Sequence, residues 1–208
     1  MFQLNEIIRD LKGMNRFIGI SFVLFFAGMV IGATNPGFKS ILESQIQALG
    51  QMAKTIDSSS NPTLSAIIFI FLNNAIKSIY VLYFGVLFGI LPVLFLIING
   101  MVIGYLLQMI ADNPTGMSVM EVIFKGLLPH GIIEIPAIIL ACAYSLRFGV
   151  LTWKAAGYLL FNREKLGGVG DAYKTFLVRS VPVSLILVLA LFLASVIEST
   201  FTVWLLNQ

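Results

Sequence analysis

The sequence predicts an all-α protein: a polytopic membrane helical bundle of about five transmembrane helices with short amphipathic interfacial helices. Three observations predict it. Of 208 residues, 58% are hydrophobic and only 11% are charged, whereas an ordinary soluble domain is about a quarter charged. Mean hydropathy is +0.95, which suits a bundle whose lipid-facing outside is as apolar as its core. The apolar residues also gather into runs near the roughly 20 residues needed to cross about 30 Å of hydrocarbon.

Residues 1–16 form a first unit. Phe2, Leu4, Ile7, Ile8 and Leu11 alternate at helical spacing with Asn5, Glu6, Arg9, Asp10 and Lys12, a pattern that predicts an interfacial helix with a basic face. Residues 17–208 form the transmembrane domain. The first span covers about 17–34 and ends at Pro36 and Gly37. This run is longer than a signal-peptide core and lacks a good cleavage site, so it reads as a retained helix. Residues 38–61 mix Lys39, Glu43, Gln47 and Lys54 with Ile41, Ile46, Leu49 and Met52, which predicts an amphipathic helix outside the hydrocarbon. The apolar stretch 64–110 is too long for one helix. Gly89 and Pro92 divide it into spans of about 65–88 and 92–110. After a polar loop at 111–116 and an amphipathic piece at 117–128, Pro129 opens a fourth span over 130–149. Residues 150–175, with Gly167-Gly168-Val169-Gly170, read as a cytoplasmic helix and loop before a fifth span over 181–205.

Lysine and arginine set the orientation. Arg9, Lys12, Arg16, Arg147, Lys154, Arg163, Lys165, Lys174 and Arg179 fall on one side. Lys39, Lys54 and Lys125 fall on the other, and Lys77 lies within a span. This bias predicts a bacterial cytoplasmic-membrane protein with its N-terminus inside and its C-terminus outside. The net charge of +3 follows topology, so no nucleic-acid partner is expected. The single cysteine, Cys142, has no partner for an internal disulfide and reads as packing. No phosphate-binding loop or nucleophile motif occurs, so no enzyme is expected.

Polar groups within spans are costly and therefore informative. Asn73, Asn74, Lys77 and Asn99 form a candidate intramembrane cluster, either as hydrogen-bonding glue between helices or as the lining of a polar path. In Pro129-His130-Gly131-Ile132-Ile133-Glu134-Ile135-Pro136, His130 and Glu134 are four apart and share a helix face. There they either hydrogen-bond to fix the helix start or offer two ligands to a divalent ion such as zinc. Further ligands would have to come from waters, another chain, Asp112, Glu121 or the 38–61 segment. Glycines four apart, Gly28 with Gly32, Gly85 with Gly89, and Gly100 with Gly104, predict close helix packing and permit a homodimer. The string Gly-Met-Val-Ile-Gly occurs at both 28–32 and 100–104, which is too short to establish a repeat.

The ordered set Phe71-Leu72-Asn73-Asn74, Gly85 and Gly89, Asn99-Gly100 with Gly104, and Leu128-Pro129-His130-Gly131 followed by Glu134 and Pro136 resembles the stage II sporulation protein M family of integral membrane proteins. The resemblance implies a scaffold in engulfment that recruits stage II sporulation proteins D and P. Those proteins remodel septal peptidoglycan, which places the scaffold in the septal membrane of a sporulating cell. Relatives also occur in bacteria that make no spores. The competing expectation is a small transporter or ion or proton channel in which Asn73, Asn74, Lys77, Asn99, His130 and Glu134 converge.

Overall fold

A computed structural model describes residues 9–113 and 116–208. Residues 1–8 of the expected N-terminal helix, and Pro114 and Thr115 of the expected loop, lie outside the described residues. The described residues are mostly helical, with no strand among them. The long helices are α1 (Asn15–Thr34), α2 (Lys39–Asp57), α3 (Pro62–Phe84), α4 (Ile90–Asp112), α5 (Leu128–Phe161) and α6 (Leu166–Ile197). All but α2 belong to the five helices long and apolar enough to cross a membrane.

Local chemistry accounts for the boundaries. Asn35 stops α1, its side chain accepting a hydrogen bond from the Gly37 amide, and Pro36 follows at once. Asn61 caps α3 by accepting from the Leu64 amide, with Pro62 in the first turn where its missing N–H costs nothing. The chain then reverses between α3 and α4 through residues 85–89, where Phe88 and Gly89 both take the left-handed conformation, φ +57° and +74°. Trp153 of α5 holds this turn: its indole N–H donates to the Phe88 carbonyl at 3.2 Å, and the two rings lie 4.7 Å apart. Past the 111–116 region, Ser118 and Glu121 form a reciprocal capping box over a short turn, Val119–Glu121. A π-helical turn, Val122–Leu127, then feeds α5.

The central helix is α5. Its Ala137, Ile138, Ile139, Ala141, Cys142, Ala143 and Tyr144 are buried on successive positions around the helix, the mark of a helix enclosed on every side. Beyond residue 149, α5 departs from expectation. The sequence reads as a span ending there with a separate cytoplasmic helix after it, but Val150, Leu151, Leu159, Leu160 and Phe161 continue one helix through Gly157 to Asn162. At 34 residues, α5 is about 50 Å long, some 20 Å more than the hydrocarbon requires. The stretch Gly167-Gly168-Val169-Gly170, expected as loop, is the first turn of α6. Glycine weakens a helix by about 1 kcal/mol but does not forbid one. A Cβ at Gly168 would meet nothing within 4 Å, so Gly168→Ala is expected to stabilise the protein by about 0.5–1 kcal/mol, read as a raised unfolding midpoint in detergent.

The glycine pairs act inside the chain. Helices α1 and α4 run parallel, with Gly28 on the backbone of Ile97 and Gly32 on Met101. In return, Gly100 sits on Phe25 and Met29, and Gly104 on Met29. The two Gly-Met-Val-Ile-Gly strings thus pack against one another reciprocally. Gly85 likewise meets the backbone of Ser145 in α5. The small faces that would have suited a homodimer are occupied by neighbours in the same chain.

Candidate functional site

One polar cluster lies where α3, the start of α5 and the end of α6 meet. Asn74 donates through Nδ2 to Glu134 Oε1 at 2.8 Å, and Asn73 donates to Asn74 Oδ1 at 3.1 Å. His130 stands one turn before Glu134 on α5, placed by the π-helical turn and Pro129. The third acidic or imidazole group is Glu198, the first residue of a second π-helical turn, Glu198–Thr202, that continues α6. Ligand atoms of His130, Glu134 and Glu198 all lie within 4.8 Å of one another. The two π turns pack against each other. Such turns recur at functional sites because the extra residue re-aims a side chain.

The expected site residues divide accordingly. Asn73, Asn74, His130 and Glu134 come together. Asn99 turns back on its own helix, donating to the Phe95 carbonyl at 2.7 Å. Lys77, although four residues from Asn73, stands on the exposed side of α3, because the helix buries Ala75, Ser78, Val81 and Leu82 instead. The other suggested ligands are engaged elsewhere: Asp112 with Gln108, Glu121 with Ser118 and Lys125, and Glu43 with Lys39 and Tyr105. Glu198 was the residue that sequence reasoning passed over. Its signal was available, since an acid inside an apolar span is expensive unless something receives it.

A second polar assembly ties the N-terminal segment to the opposite end of the bundle. Asp10, expected on the wet face of an interfacial helix, is only 8% exposed. Arg147 of α5 and Arg179 of α6 both donate to its Oδ1, at 2.9 and 3.0 Å, and Tyr144 donates to its Oδ2 at 2.8 Å. Burial pushes the Asp10 carboxyl up. Hydrogen bonds from Arg147 and Tyr144, the charge of Arg147 and the bond from Arg179 outweigh it and hold the carboxyl below its ordinary value. The two arginines had been legible only as markers of orientation.

Five apolar spanning helices, packed around an enclosed α5 and carrying an internal polar cluster, define a polytopic helical membrane protein. The chain belongs to the stage II sporulation protein M family, matching it over residues 21–203. That stretch includes both Gly-Met-Val-Ile-Gly strings and every residue of the His130 cluster. Comparison with curated proteins gave no match, and comparison with solved structures gave none.

Proposed function

We propose that this protein is a membrane assembly component that holds extracytoplasmic partner proteins, with its N-terminus inside and its C-terminus outside. The observation that carries the reading is α2. Nineteen residues long and too polar to span, it joins α1 to α3 and packs on the bundle through Leu42, Ile46, Met52 and Ile56. Ser44, Gln45, Gln47, Ala48 and Gln51 are left exposed. Tyr105 of α4 donates to Glu43 at 3.3 Å and adds a polar tether. A rigid, mostly polar helix fixed outside the hydrocarbon is a docking platform, and the positive-inside rule puts it on the outer side. By family, its partners are stage II sporulation proteins D and P, which carry out peptidoglycan remodelling while this chain positions them.

Two measurements test this. Ser60→Cys, exposed just beyond α2, is expected to react with a membrane-impermeant maleimide in intact spheroplasts; the native Cys142 is buried and silent. Reaction only after permeabilisation reverses the topology and removes the reading. A photo-crosslinker at Gln47 is expected to capture protein D or P, and one at lipid-facing Leu72 is not. The transport reading needs Lys77 and Asn99 to join the cluster, and both stand apart from it. Liposome flux insensitive to Glu134→Gln would dispose of it.

A further inference from the structure

We infer that His130, Glu134 and Glu198 bind a divalent transition cation of the zinc class, which clasps the start of α5 to the end of α6. The donors come from the start of α5 and from the turn that ends α6, with Glu198 more than sixty positions beyond His130 and Glu134 in the chain, so chain proximity alone does not explain their meeting. Zinc holds imidazole nitrogen and carboxylate oxygen at about 2.0–2.2 Å, which sets tetrahedral ligands about 3.4 Å apart. Donors already within 4.8 Å of one another reach that spacing by side-chain torsion. An imidazole in the set favours a borderline transition ion over calcium or magnesium, which prefer all-oxygen surroundings.

Two further observations point to a cation here. Neither Glu134 nor Glu198 has a lysine or arginine partner among the described residues: Lys125 is engaged by Glu121 at 3.6 Å, and Lys77 faces outward. Two neighbouring carboxylates in an apolar setting must take up protons or gain a compensating positive charge. His130 Nδ1 is buried with no hydrogen-bond partner among the described residues. Buried polar atoms are rarely left unsatisfied. The Asn73–Asn74–Glu134 chain meanwhile has the form of the outer-shell hydrogen bonding that orients a ligating carboxylate.

The test uses full-length, tag-free protein in detergent, stripped with chelator and reloaded with zinc. About one zinc per chain is expected for wild type. His130→Ala and Glu198→Gln should fall at least tenfold in retained metal, and Glu121→Gln should match wild type. Asn74→Ala should keep the stoichiometry and weaken affinity about 10–100-fold. Chelator should lower the unfolding midpoint of wild type but not of Glu198→Gln. A readout free of any variant comes from cobalt loading. His130 is the sole histidine, so a paramagnetically shifted imidazole resonance arises from it alone. Wild type that retains no zinc, Glu198→Gln that retains as much as wild type, or cobalt protein without the shifted resonance overturns the inference. Because α2 takes no part in the clasp, failure of partner crosslinking at Gln47 would leave these readouts unchanged.

Discussion

Gly104→Leu is expected to prevent the bundle from forming. A Cβ at Gly104 would lie against the Met29 carbonyl and 2.9 Å from Met29 Cα. No rotamer relieves a clash with backbone, so α1 and α4 must move apart. Overpacking in a tight core typically costs about 1–3 kcal/mol; separating two helices along their length puts this variant at the top of that range or above it. Gly32→Leu is expected to behave alike, since a Cβ there stands 2.5 Å from Met101 Cα. Gly157→Ala is the control, with nothing within 4 Å of its added methyl. The measurement is the yield of monodisperse protein and its unfolding midpoint. Full-yield Gly104→Leu with an unchanged midpoint would refute the α1–α4 interface. Because these glycines face one another within one chain, the variants should lose the fold rather than change an oligomeric state.

The second large effect is expected from Asp10→Asn, which leaves Arg147 and Arg179 without their shared anion. Hydrogen bonds to charged groups contribute about 1.5–3 kcal/mol. Partial exposure of both guanidinium groups argues for the lower part of that range, about 2 kcal/mol in all. The sign of the pH dependence follows from the depressed carboxyl. In the unfolded chain Asp10 titrates near 3.8; the folded carboxyl titrates lower. The stabilisation is therefore fully present above about pH 4–5 and disappears as pH falls through the folded value. Unfolding of wild type and Asp10→Asn measured from pH 7 down to pH 3 should show two curves that converge at the acid end. Parallel curves would mean that the carboxylate contributes nothing.

The spans were readable because a bilayer enforces length and composition together, and Pro36, Pro62 and Gly89 mark ends that local chemistry requires. The α5 and α6 boundaries were not. A helix that runs on past the membrane meets no compositional edge, and glycine in its first turn reads as loop although nothing in the fold demands one. Within the site, His130 and Glu134 were visible because four-residue spacing is a local property. Glu198 needed the tertiary path of α6, although its charge inside an apolar run was there to be seen. Lys77 shows the converse error: spacing put it on the face of Asn73, yet the helix turned a different stripe inward. Asp10 was misplaced because amphipathic patterning assumes that charge faces water, and here two arginines from distant helices met it in the interior.

The reciprocal α1–α4 packing also bears on how the chain is made. Gly28 and Gly100 lie 72 positions apart, and at about 5–20 residues per second ribosomes need several seconds to supply the second after the first. Throughout that interval the glycine-lined groove of α1 has no α4 to fill it. Lipid, the insertion machinery or a chaperone must occupy it until α4 arrives. Helix α1 is thus made well before the helix that completes its packing.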